Sequence, residues 1–210
     1  MKENVAPTKA NLMAAASALE FSKKGYELLD KKRNVLIREM MGLMKRASEI
    51  QVKVNQIFKE AYQALQMSNI TLGISQVYEV ARSIPENSDF TILTRSVMGV
   101  EIPIVRYEKK SLDHYYSFYH TNAALDLALK KFHEVKYLLL ELAEVEDSVY
   151  KLAVEIKRTQ KRANALKNIQ IPKLESIVKT ISEMLEEKER EDFFRLKTLK
   201  SKLGTSKNYP

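Results

Sequence analysis

The chain has no cysteine and no tryptophan, and only 5 glycines and 5 prolines among its 210 residues. Without cysteine there can be no disulfide and no thiolate metal site, and a reducing compartment is the natural setting. The prolines are unevenly placed: none falls between Pro7 and Pro85, and none between Pro103 and Pro172. Tracts that long without a breaker exceed an ordinary globular helix and point to coiled coil. No apolar run approaches the roughly 18 residues that a membrane-crossing helix needs. The apolar stretch Leu12 to Leu19 superficially has the make-up of a signal-peptide core, but a helical seam runs through it, so no cleavage is expected. The expectation is a cytoplasmic chain with no direct membrane insertion.

What the sequence does contain is periodicity. Alternating steps of three and four from Leu12 give Ala15, Leu19, Ser22, Tyr26, Leu29, Arg33, Leu36, Met40, Leu43, Ala47, Ile50, Val54, Ile57, Ala61 and Ala64; only Ser22 and Arg33 are not apolar. So sustained a heptad pattern specifies a coiled-coil helix. Thr8 is its expected N-cap, and Ser83-Ile84-Pro85 its expected limit, near Ala81. A second seam reads Ala128, Phe132, Val135, Leu139, Leu142, Val145, Val149, Leu152, Ile156, Thr159, Ala163 and Leu166, with Thr121 or Asn122 as cap. Its register then slips and resumes at Leu174, Ile177, Ile181 and Met184, and again at Leu196, Leu199 and Leu203. Pro172 lies in the slip and predicts a kink.

Neither helix can bury its stripe alone, so an antiparallel hairpin of two helices is expected. Pairing the two chain ends sets Lys23 and Lys24 opposite the acidic run Leu185 to Asp192, and residues 45–53 opposite 157–165. Between the helices, Phe90 to Val105 is rich in β-branched residues, with Met98-Gly99 as a turn, and reads as a β-hairpin. Pro103 suits an edge position. The fold class is therefore mainly α: a long antiparallel two-helix coiled coil with a short central β-hairpin head. The expected division is a helix over 8–82, a head over 83–120 with the hairpin near 90–106 at the closed end, a helix over 121–203, and a flexible tail over 204–210.

Catalytic motifs are missing: no GxxxxGK[ST], GxSxG or HExxH sequence occurs. HYYSFYH, His114 to His120, could suggest a metal or stacking site, but no ligand set surrounds it apart from Asp113, and an apolar patch with wet hydroxyls is the simpler reading. No catalytic residue, metal or cofactor is expected. The net charge is +8. Lys31, Lys32, Arg33, Arg38, Lys45 and Arg46 on the first helix, with Arg158, Lys161, Arg162 and Lys167 on the second, would merge into a positive band in that pairing. A solvated face explains many of these residues. Arg33 at a seam position is harder to dismiss, and an acidic sleeve would explain the band. Phe193 and Phe194 near the open end, and Val100, Ile102, Ile104, Tyr115 and Tyr116 in the head, are the candidate apolar contacts. A nucleic-acid-binding rod would need stacking aromatics between its basic residues. A cytosolic scaffold would tolerate changes across most of its surface.

Three blocks, in order, resemble the D subunit of V-type (A/V-type) ATPases: Pro7 to Met41 with its GYELLDKKR run, Val97 to Pro103, and Leu152 to Ile181 followed by Glu186 to Lys200. The run Thr159 to Leu166 and the Ile171-Pro172 pair are specific to that likeness, whereas Ala163 stands where a larger aliphatic residue is expected. The resemblance implies a rotor component without an active site. Its coiled coil would enter a hexamer of A and B subunits, its head would join the F subunit, and the C subunit (d in eukaryotes) would link it to the membrane ring. No nucleic acid is implied.

Overall fold

The computed structural model describes residues 6–85, 90–109, 111, 116–117, 119 and 121–205. Its elements run α1 (Lys9–Leu72), α2 (Ile74–Ser83), β1 (Phe90–Val97), β2 (Val100–Tyr107), α3 (Ala123–Ala165), a π-helical turn (Leu166–Gln170) and α4 (Ile171–Thr205). The chain divides into two compact units, residues 1–33 with 158–210, and residues 34–157.

In the second unit the later part of α1 runs antiparallel to α3. Ile50 and Val54 bury against Leu142 and Val145, with Leu43, Ala47, Phe58, Leu138 and Val149 around them. Phe58, Tyr62 and Phe132 form an aromatic cluster, with centroid distances of 5.5 to 6.4 Å. The half-exposed Lys131–Glu60 pair, 2.6 Å apart, bridges the helices beside it. Asn122 closes the pair. Its Oδ1 accepts from the Leu125 N–H at 3.0 Å and so caps α3, while its amide donates to Thr71 Oγ1. This closure sets the register. Residues 45–54 therefore meet 138–149 rather than 157–165, which corrects the pairing of the chain ends.

α1 does not continue to Ala81. Gly73 sits at φ 88, ψ 148, a region that only glycine visits readily. It interrupts the helix, and α2 begins after it. We expect Gly73→Ala to strain this junction by about 1–3 kcal/mol, which is roughly a 5- to 150-fold faster amide exchange at Ile74 to Val77. Unchanged exchange would mean that the break does not need glycine.

The β-hairpin forms with the expected turn. Val97 pairs with Val100, and Met98 and Gly99 take φ 52 and 79, the signature of a two-residue primed turn. Its position differs from expectation. It lies back along the helix pair, not beyond the closed end, because Val100 and Ile102 need cover that a lone hairpin cannot provide. They bury with Leu36 and Leu152, flanked by Met40, Leu43, Val97 and Ile156. The Val105 N–H donates to Glu144 Oε2 at 2.8 Å, so it faces away from β1. The Pro103 nitrogen lies on that same outer side, where no ladder bond is lost. β1 is exposed over most of its length, with Phe90, Ile92 and Leu93 in solvent.

In the first unit, Thr8 Oγ1 accepts from the Asn11 N–H at 3.2 Å and caps α1. Lys23 pairs with Glu175 at 2.7 Å and Lys9 with Glu189 at 2.9 Å, which fixes α1 and α4 antiparallel. Lys24 pairs with Glu20 on its own helix. Of the acidic run, Glu189 thus faces the start of α1, whereas Lys23 meets Glu175 instead. Among the described residues, those beyond Glu189 run past the start of α1 as a single helix. The fully packed positions are mostly small: Ser22, Thr159 and Ala163 are buried along with Ile181. Ala163, where a larger residue was expected, is 1% exposed, so this layer has no room for more. Ser22 satisfies its hydroxyl by donating to the Ala18 carbonyl at 2.8 Å.

Candidate functional site

Heptad spacing places the basic residues of the first unit. Thr159 and Ala163 point into the seam, so Arg158, Lys161 and Arg162 are left on its exposed flanks. Tyr26 meets Lys167, whose ammonium lies 5.7 Å from the ring centre. In an antiparallel pair this brings Arg158 to Arg162 level with Lys31 and Arg33. Arg33, the seam anomaly, is accounted for: its guanidinium meets Asp30 at 2.6 Å and its side chain is 24% exposed. It is a partly covered ion pair at the margin of the seam, with the aliphatic stem packed.

Ion pairing holds only some of the chain's cations; Lys53, Lys59, Lys130 and Lys157, outside the candidate set, also lie beyond 4.0 Å of any carboxylate among the described residues. Lys9, Lys23, Lys24, Lys131, Lys151, Lys179, Arg190 and Arg195 each lie within 4.0 Å of a carboxylate. Lys31, Arg158, Lys161 and Arg162 in the first unit have no such partner among the described residues, nor do Arg38, Lys45 and Arg46 in the second. Bare groups repel one another and favour an acidic partner surface, an attraction that salt weakens. Lys45 and Arg46 belong beside residues 138–149 rather than beside residues 157–165.

Phe193 and Phe194 are 69% and 70% exposed on the single-helix extension of α4, with Leu196 and Leu199 also in solvent. An apolar run of that kind on an unpaired helix marks a contact surface. Of the candidate head contacts, Val100 and Ile102 are buried against this chain's own helices and Ile104 is half-buried. The open apolar side of the hairpin is β1. Tyr116 donates its hydroxyl to Asp126 Oδ1 at 2.6 Å, and burial together with that carboxylate pushes its pKa up to about 12. Tyr115, like His114 and His120, lies outside the described residues. Among the described residues, no group of three or more histidines and carboxylates could hold a metal ion, and no helix is long and apolar enough to cross a membrane.

A polar clasp holds the hairpin, and no motif in the sequence announces it. Tyr107 stacks on Tyr137 at 5.1 Å and donates its hydroxyl to Glu141 Oε1 at 2.7 Å; Glu144, one turn on, takes the Val105 N–H. Glu141 and Glu144 stand in the run LLLELAEVE as ordinary flank residues, and only the i,i+3 spacing beside a strand end could have signalled them. Burial of Tyr107, then its bond to Glu141 and the two nearby negative charges, pushes its pKa up to about 12, against a weaker opposite pull from Arg46. The folded phenol therefore holds its proton above pH 10, where the unfolded one loses it. Its contribution is intact below about pH 10 and lost as the pH rises toward 12. We expect alkaline unfolding to steepen over that window, and Tyr107→Phe to flatten it in a pH series of urea midpoints. Identical slopes would remove Tyr107 from the clasp.

Residues 11–201 match the family model for the D subunit of ATP synthase. The chain is similar to the V-type ATP synthase D subunit of Thermotoga neapolitana, 45% identical over 96% of this chain and 99% of that one. It is similar also to the A-type ATP synthase D subunit of Thermococcus kodakarensis, 37% identical over 94% of each chain. The A-type D subunit of Methanobrevibacter smithii is 38% identical over 98% of this chain and 90% of its own.

Proposed function

Because the chain belongs to the family of ATP synthase D subunits, we propose that it is the non-catalytic central-stalk rotor of a V-type or A-type ATPase. In that role it transmits torque between a hexamer of A and B subunits and an ion-carrying membrane ring. The observation that carries this reading is the set of exposed cations Lys31, Arg158, Lys161 and Arg162, without acidic partners among the described residues, on an antiparallel helix pair whose α4 continues among those residues as a single helix bearing Phe193 and Phe194. Such a pair presents charge and apolar surface to something that surrounds it.

The mechanism is differential contact. One chain inside a ring of three catalytic interfaces offers each of them a different face. A face that binds the closed form of an interface better than the open form shifts that interface toward closure by the difference in affinity. As the chain turns, each interface passes through the same series of preferences. The coupling is reciprocal, so an interface driven by ATP hydrolysis biases the orientation of the chain, and an imposed rotation biases the interfaces toward synthesis. ATP chemistry stays with the A and B subunits. The F and C subunits would dock on the second unit, and the exposed β1 residues Phe90, Ile92 and Leu93 suit that contact better than the buried Val100 and Ile102. The chain would thus be peripheral to the membrane, on its cytoplasmic side.

The test is assembly. Mixed with purified A and B subunits and weighed by native mass spectrometry, the chain should appear once per hexamer and should change the rate of ATP hydrolysis. Several copies per hexamer, or no complex, would instead favour a scaffold.

A further inference from the structure

We propose that the segment Leu166–Pro172 is a compliant joint in the C-terminal helix, at which α3 and α4 bend and twist against each other within the first unit. Five residues, Leu166–Gln170, form a π-helical turn, and the Ile171 N–H donates to the Leu166 carbonyl, one residue farther back than in an α-helix. Pro172 follows at once and has no N–H. It can serve neither the Asn168 carbonyl that an α turn would bring to it nor the Lys167 carbonyl that a π turn would. Both residues are exposed, so those carbonyls lie within reach of water. Opening this stretch therefore breaks fewer internal bonds than opening any equal length of α3.

Packing is thin at the same level. From Lys167 to Gln170 every side chain is exposed, and Leu166 and Ile171 are only half-buried. The facing residue on α1 is Gly25; a Cβ there would be 3.8 Å from Leu166 Cδ1, so the glycine presents bare backbone to one leucine methyl. The buried positions on either side are Ser22, Thr159 and Ala163, which interlock little. The extra residue in the wide turn also accounts for the register slip in the seam, since the apolar stripe resumes correctly at Leu174 and Ile177. A proline, a π turn and a facing glycine converge on one level, where bending concentrates.

The joint rests on the proposed rotor role only for its use: elastic storage between stepwise chemistry and ion transport. The test therefore uses the isolated full chain, so failure to assemble with A and B subunits would leave it standing. The chain has no cysteine, which makes labelling clean. Spin labels at Gln160→Cys and Lys179→Cys flank the joint. A control pair, Leu127→Cys and Glu146→Cys, has the same spacing inside α3, about 28 Å for either pair at 1.5 Å per residue. The distance distribution across the joint should be about twice as wide as the control, and the amides of residues 168–171 and 173 should exchange about 100-fold faster than those of 142–152. Deleting Ile169 together with Pro172→Ala should restore a continuous α-helix and narrow the distribution to the control width. Equal widths in the unmodified chain would overturn the proposal, and so would a broad distribution that survives the straightening. If the straightened variant does not fold, the width and exchange comparisons in the unmodified chain still decide.

Discussion

Leu152→Ala is expected to lower stability by about 3–5 kcal/mol, the upper part of the range for a buried leucine. Leu152 is 0% exposed and buries together with Leu36, Val100 and Ile102, so its side chain joins α1, α3 and β2 at one point. A cavity there has little way to collapse, because both helices are fixed along their length by neighbouring seam layers and cannot close in locally. Leu36→Ala should cost a similar amount. Because the two leucines share a core, the double variant should fall short of the sum of the single ones by at least about 0.5 kcal/mol. Urea unfolding measures this as a lower midpoint at unchanged slope. Leu196→Ala, at 66% exposure, is the internal control and should stay within about 0.5 kcal/mol of the parent. A cost for Leu152→Ala no greater than that of the control would mean that the hairpin does not pack on the helix pair.

Arg158→Glu combined with Arg162→Glu should act in the opposite manner, leaving the chain folded and removing it from its partner. Both residues are exposed and have no carboxylate partner among the described residues, so nothing in the fold depends on their sign. If an acidic wall faces them in the assembly, each reversal replaces an attraction with a repulsion between partly desolvated charges. A single truncated pair in an interface costs about 2–5 kcal/mol, and two reversals should weaken binding to the A and B hexamer by at least about 100-fold. Thermal unfolding of the free chain should be unchanged, and the loss should shrink as salt is raised. The double Arg→Lys variant should retain most of the affinity, because charge rather than planar geometry is required. Equal affinity for the reversed variant would remove this set from the interface.

The repeating part of the fold was legible because heptad spacing depends on nothing beyond the helix itself. Every seam position from Leu12 to Ala64 is buried or half-buried. The second seam holds to Ile181 with one substitution: Leu138 packs in place of Leu139, which is 40% exposed. Leu196 and Leu199 have the same spacing yet are exposed, since α1 ends where Lys9 meets Glu189 and no described helix faces them; Met184, 49% exposed, lies level with α1 and its exposure has no such account. Periodicity says which face is apolar, not what covers it. Register was not legible for a related reason. Heptads match equally well when slid by a whole repeat, so the pairing is chosen by the closure at Thr71 and Asn122 and by the backbone of Gly73. The hairpin's residues could be read from alternation, but its resting place depends on the Leu36 and Leu152 layer that the register creates. The candidate cations were visible singly. Their grouping followed the wrong register, and their lack of carboxylate partners could be known only once the pairs around them were placed.

The two edges of the hairpin are unequally guarded. β2's outer edge carries Pro103 and an N–H already held by Glu144, so no foreign strand can extend the sheet from that side. β1 has neither defence: Phe90–Val97 contains no proline, no lysine and no bulge, and Ile92 is 64% exposed. The chain thus carries one strand open to pairing, and a partner docked on it, as proposed above, would close that edge. Covering that edge early in assembly would guard the chain against edge-to-edge aggregation.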